Sequence, residues 1–213
     1  MDFIVPQNFI NLEQLKQNIN FEKEANQFLK ALDNSQKEQD IQSYIKENAK
    51  WFIPGAIIDN YDFSSNDCFI VPEQKLGAEY QADYLLLGNN SIGHQIILVE
   101  FENVNAEYKQ KNANQESKAV RNGLTQINDW IRWLDDNRKY FLEENCKLKT
   151  IASSIPSWGI HYCLVVSRRK YMDDVANKMR AQTQSIYKNL KIITYDRIVD
   201  LLKRKAKTIA EYN

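Results

Sequence analysis

The run Ile96-Ile97-Leu98-Val99-Glu100-Phe101-Glu102 constrains this chain more than any other stretch. It has the length of a strand, and strand side chains alternate between faces. Glu100 and Glu102 therefore share a face with Ile96 and Leu98, while Ile97, Val99 and Phe101 point the other way. Both faces are apolar over most of the run, so both need cover. Helices on both faces of a mixed sheet supply it, and the expected fold class is α/β, with a mixed sheet of α+β character. Two carboxylates closing such a strand are costly unless something compensates them.

The strand is predicted over Gln95 to Glu102 and a partner over Tyr80 to Leu87. Between them Gly88-Asn89-Asn90-Ser91-Ile92-Gly93 signals a turn, so the two form an antiparallel hairpin. If the hairpin is symmetric about Ser91-Ile92, Asp83 falls opposite Glu100. Directly opposed residues have Cβ atoms roughly 5 Å apart, and like charges there repel. A divalent cation reverses the sign of that term. Mg²⁺ takes hard oxygen ligands, commonly one or two carboxylates plus a substrate phosphate. Asp83, Glu100 and Glu102 fit that description, with Mg²⁺ or Mn²⁺ as the expected cofactor. A one-residue slip in register would carry Asp83 to the other face.

Around the hairpin, helical spacing runs from about Asn11 to Leu32 through Leu12, Leu15, Ile19, Phe21, Ala25 and Phe28. Ser35 followed by Glu38 has the spacing of a capping box and opens a second helix to about Asn48. A short strand over Cys68 to Val71 is expected to stop at Pro72. A long helix over Glu116 to Phe141 follows the hairpin. Then come a strand over His161 to Val166, a helix over Tyr171 to Leu190, a strand over Ile192 to Tyr195 and a helix over Asp200 to Ile209. The predicted division is an N-terminal helical segment, 1–34, and a main domain, 35–213.

Composition excludes several classes. With 213 residues the chain can bury a sizeable core without disulfides or metals. Lys+Arg and Asp+Glu are both 28, so it is no histone-like coat protein. Local basic clusters remain available to neutralise phosphates: Arg168-Arg169-Lys170, Lys203 to Lys207, and Lys109, Lys111, Lys118 and Arg121. Phosphate-loop glycine motifs and a GxSxG elbow are absent. The two histidines, His94 and His161, lie in different elements, and a lone strand histidine such as His161 reads as structural. Cys68, Cys146 and Cys163 are too scattered for a disulfide framework or a zinc site, and read as reduced structural thiols. Met1 to Pro6 lacks the basic start and apolar run of a leader, and no window suits a membrane span. A cytoplasmic location is the default expectation.

An opening helix, an Asp strand, an acidic second strand, a helix and a late strand-to-helix join resemble the PD-(D/E)xK nuclease superfamily. More narrowly, the chain resembles the nuclease domain of Shedu anti-phage defence proteins. The likeness is carried by Glu38 to Asn48, Ala82-Asp83-Tyr84-Leu85, Leu98-Val99-Glu100-Phe101-Glu102, Gln126-Ile127-Asn128-Asp129-Trp130 and Ile193-Thr194-Tyr195-Asp196, within about Ser35 to Lys203. The resemblance implies a restriction-endonuclease-like core behind an N-terminal helical extension, and a Mg²⁺-dependent endonuclease acting on DNA. It implies that Asp83 and Glu100 hold the metal, that Glu38 adds a carboxylate from the first helix, and that Gln126 approaches from the long helix. Glu102 stands where the family carries Lys. It then serves as base or further metal ligand, or a lysine such as Lys109, Lys111 or Lys118 takes over. Alternatively the domain binds nucleic acid or a protein partner without cutting. Oligomeric state is left open: relatives in the family assemble, and Trp130, Trp133 and the long helix could serve a homo-oligomer interface, but no sequence feature demands one.

Overall fold

The computed structural model describes residues 5–16, 19–63, 67–187 and 189–212. Residues 1–4, the larger part of the segment searched for a leader, lie outside them. In chain order come β1 (Ile10–Asn11), α1 (Leu12–Lys16), α2 (Phe21–Asn34), α3 (Glu38–Glu47) and the short α4 (Phe52–Gly55). Then follow β2 (Phe69–Leu76), β3 (Tyr80–Asn90), β4 (Gly93–Phe101), α5 (Lys118–Tyr140), β5 (Ile160–Val165), α6 (Asp174–Ile186), β6 (Leu190–Ile193) and α7 (Tyr195–Tyr212).

The strands form one mixed sheet in the order β1 to β6. β1 to β4 pair antiparallel, whereas β4, β5 and β6 run parallel. One face packs on α5 and α6, where Val120, Ile127, Trp130 and Ala176 meet Leu85, Leu98 and Leu164. The other packs on α2, α3 and α7, where Phe28, Ile41 and Leu202 meet Leu86, Ile97 and Val99. Ile96 to Val99 are fully buried from both sides. Each such side chain contributes roughly 1.5–3 kcal/mol of transfer free energy, so the strand bearing the acids is also the core of the fold.

The boundaries of α6, β6 and α7 shift from the predicted ranges, and four other departures have a local physical reason. The first helix is split: Asn20 caps α2 by accepting the Lys23 N–H at 2.9 Å, and residues 10–11 form a strand. β2 runs through Pro72 to Leu76. β1 pairs only with Phe69 and Ile70, so beyond them β2 is an edge, where a missing N–H breaks no ladder. The hairpin turn is only Ser91-Ile92, between the pair Asn90↔Gly93. Gly88 is a strand residue, and a Cβ there would stand 2.6 Å from a Phe63 ring carbon. Close approach, not turning, explains that glycine. Finally, α3 is capped by Asp40, which accepts the N–H groups of Gln36 and Lys37 at 2.7 and 2.9 Å, while the Ser35 hydroxyl donates to the Lys37 carbonyl. Glu38 plays no part in that cap.

All three cysteines are buried. Among the described residues no helix is long and apolar enough to cross a membrane. Trp130 is fully buried under α5 and belongs to the core, so it offers no assembly surface.

Candidate active site

The hairpin register is the one symmetry about Ser91-Ile92 predicts. Its last pair is Tyr84↔Val99, and one step further Asp83 lies level with Glu100. The pleat, however, changes phase at this point. In β2 the residues facing α5 are Phe69, Val71 and then Leu76; in β3 they are Leu87, Leu85 and then Ala82. Odd positions give way to even ones in both strands. Glu73, with φ of 52°, lies inside the switch, between the pairs Pro72↔Tyr84 and Gln74↔Ala82 and level with Asp83. A non-glycine residue in the left-handed region costs about 1–2 kcal/mol and persists where its surroundings enforce it. Alternation alone therefore does not decide where Asp83 points.

What fixes Asp83 is hydrogen bonding. The Phe101 N–H donates to its Oδ2 at 2.7 Å, replacing the next rung of the ladder. The Gln42 side chain bonds the same carboxylate, and its Oε1 accepts the Tyr84 hydroxyl at 3.1 Å. Gln42 lies one helical turn after Glu38 on α3, so the two share a face. Glu38 is half-buried, and burial raises its pKa. Asp83, Gln42 and Tyr84 line a cavity of about 210 Å³ between α3 and the sheet.

Glu100 is buried between Asp83 and Glu102, with 7% exposure, and its Oε2 has no hydrogen-bond partner. Burial pushes its pKa up to about 10, helped by the charges of Asp83, Glu102 and Glu38. Asp83 is pushed to about 6 by burial, against the opposing pull of the Phe101 N–H and Gln42. Glu102 rises to about 7, from burial first and Glu38 second. Four carboxylates thus share one electrostatic neighbourhood around a buried oxygen that nothing satisfies.

The backbone of Glu102 is fixed from two sides. Its N–H donates to the Val165 carbonyl at 2.8 Å, and its own carbonyl accepts the Tyr195 hydroxyl at 2.7 Å. Its side chain runs along α5, where a Cβ on Gly123 would stand 3.1 Å from Glu102 Cγ. The same Cβ would meet Leu164 Cδ1 more closely still, so packing of α5 on β5 is what requires glycine there. Glu102 and Gln126 line a shallow cavity beside Gln81, and the Gln126 amide donates to the Gln81 carbonyl at 3.4 Å.

The donor set suits a hard divalent cation: all oxygen, mostly acidic, with one buried oxygen lacking a partner. Among the described residues no three of these side chains are drawn together as ligands of one ion. Two carboxylates and a substrate phosphate complete such a site equally well.

Most basic candidates are engaged elsewhere. Arg168, 4% exposed, bonds Asp33 at 3.0 Å and Asp196 at 3.1 Å. Arg169 pairs with Asp200, and Lys205 with Asp59. Lys109 pairs with Asp173 at 3.5 Å and Lys111 with Glu107 at 3.6 Å, so neither is oriented toward the acids by a partner there. Sequence reading missed Gln42, Glu73 and the bond that Tyr195, quoted above only as part of a strand-to-helix join, makes to the Glu102 carbonyl. Only Gln42 left a trace, its spacing of four from Glu38.

Without a cation the three raised carboxylates govern stability. Each binds a proton more tightly folded than unfolded, so its contribution is complete below the unfolded pKa and is lost as pH rises through about 6, 7 and 10 in turn. The metal-free melting temperature is therefore expected to fall steadily from pH 5 to pH 9. Calorimetric scans in chelator across that range check it, and a flat or rising profile would refute the crowding of charges.

A family model described as Shedu protein SduA, C-terminal, matches residues 35–199. No curated protein matches the chain.

Proposed function

The chain belongs to the family of the Shedu protein SduA C-terminal region, and on that premise we propose that it is a metal-dependent DNA endonuclease of bacterial anti-phage defence. The observation that carries this reading is the partnerless buried oxygen of Glu100 amid Asp83, Glu102 and Glu38. A structural role gives no reason to bury Glu100 with an unpartnered oxygen beside three further acids.

In this reading Asp83 and Glu100, with Glu102 beside them, hold Mg²⁺ or Mn²⁺. The ion supplies charge neutralisation and Lewis-acid polarisation of the scissile phosphodiester. The Phe101 N–H and Gln42 hold the Asp83 carboxylate in one position. Glu102, which stands beside Asp83 and Glu100, would accept a proton from the attacking water. Gln126 orients that water or a phosphate oxygen from α5. Glu38 adjusts the local charge from α3.

A second reading, nucleic-acid or protein binding without cutting, draws on Glu102 standing at the family's Lys position while Lys109 and Lys111 pair elsewhere. Supercoiled plasmid incubated with Mg²⁺ or Mn²⁺ separates the two. The wild type is expected to nick it, and Asp83→Ala to lose activity by about 10³-fold or more, as removal of a metal-holding charge does. A wild type inert with every metal would leave the binding reading.

A further inference from the structure

At the other end of the sheet a cavity of about 330 Å³ opens between the hairpin tip, the start of β5 and the start of β6. It lies five residues back along β4 from Glu100, about 17 Å away at roughly 3.3 Å per residue. Its walls are aromatic. Tyr61 and Phe63 stack with centroids 5.9 Å apart, and the His161 ring stands 5.3 Å from Tyr61. Lys191 Nζ sits 4.2 Å above the Tyr61 ring. Trp158 and Ile92, on its rim, are 51% and 67% exposed, costly positions for large apolar groups with nothing to cover.

The polar groups in the wall are ordered. His161 Nε2 and Gln95 Oε1 lie 2.7 Å apart. The oxygen accepts, so Nε2 carries the proton. Burial and Lys191 lower the His161 pKa, which keeps the ring neutral. That leaves His161 Nδ1 as an acceptor and the Gln95 amide nitrogen as a donor, both on residues lining the cavity.

We infer that this cavity is a binding site for a nucleoside or nucleotide, with the base against the aromatic wall and its hydrogen-bonding edge on Gln95 and His161. A nucleobase is planar, stacks on aromatic rings and presents donors beside acceptors. Lys191, whose ammonium has three protons and gives one to the Asn60 carbonyl, is placed for a 5′-phosphate. The volume is at the lower end for ligand pockets, which suits one nucleotide. The site shares no residue with the acid cluster, so it stands whether or not that cluster cuts DNA.

The test is calorimetric titration of the full chain, in chelator, with the four ribonucleosides, their 5′-monophosphates and an eight-nucleotide single strand. At least one nucleoside and its monophosphate are expected to bind with one site per chain. Gln95→Leu should weaken both about tenfold, the loss of one hydrogen bond in a desolvated site. Lys191→Met should weaken the monophosphate and spare the nucleoside. Glu100→Gln should bind as the wild type does. Absence of binding by every nucleoside and monophosphate, binding of the oligonucleotide alone, or undiminished binding by a folded Gln95→Leu protein would each overturn the assignment.

Discussion

Glu100→Gln is expected to abolish DNA cutting while making the metal-free protein more stable. Glutamine keeps the shape of Glu100 but carries no charge to bury. In the wild type, burial and three neighbouring acids push this carboxyl to about 10, so folding at pH 8 must protonate a group that the unfolded chain leaves ionised. Relief on the order of 2 kcal/mol corresponds to a gain of about 4–8 °C for a chain of this size. The gain should shrink toward pH 5, where the wild type no longer bears the cost. Millimolar Mg²⁺ or Mn²⁺ should raise the wild-type melting temperature, by about 2.7 kcal/mol at a hundred times Kd. The variant should show no such rise, and its cutting should fall by about 10³-fold or more. Calorimetry with and without metal, beside a plasmid assay, reads all three effects. A metal-induced rise that survives in Glu100→Gln would place the ion elsewhere.

Glu102→Gln should reduce cutting by about 10²–10⁴-fold, the range for loss of a general base, with DNA affinity equal or higher. Affinity does not suffer because a negative charge near phosphate has gone. Glu102→Lys probes the same position from the other side. Should the wild type bind without cutting, restoring the family's lysine tests whether the remaining acids still support hydrolysis. Cleavage of supercoiled, linear and single-stranded DNA by the three proteins, across both metals, decides between these outcomes. Undiminished cleavage by Glu102→Gln would remove this residue from the mechanism.

The sheet and its helical cover were legible because Ile96 to Val99 is a continuous apolar run that needs cover on both faces, and because Val120, Ile127 and Leu134 recur at helical spacing. The register followed from taking the hairpin as symmetric about Ser91-Ile92, although the turn is shorter than the six residues from Gly88 to Gly93 that signalled it. Errors arose where one residue type serves two purposes. Gly88 reads as a turn but admits the Phe63 ring, and Pro72 reads as a stop but lies on an edge. Glu38 reads as a cap because its spacing from Ser35 fits, yet Asp40 reaches the free N–H groups and leaves Glu38 to the acid cluster. Asp83, Glu100 and Glu102 were visible as charges misplaced in an apolar setting. The support of Asp83 by Gln42 and of the Glu102 backbone by Tyr195 was not. Both depend on contacts between elements far apart in sequence.

The Arg168 clamp bears on how the protein can be divided. Its guanidinium, almost wholly enclosed, ties Asp33 at the end of α2 to Asp196 at the start of α7. The segment shared with the family begins two residues after Asp33 and stops inside α7. A fragment trimmed to residues 35–199 would strand an enclosed cation with one counter-charge and strip Phe28, Leu32, Leu201 and Leu202 from the core they share with Tyr195 and Ile198. The stretch that ancestry marks is thus shorter than the stretch that folds, and expression boundaries belong outside α2 and α7.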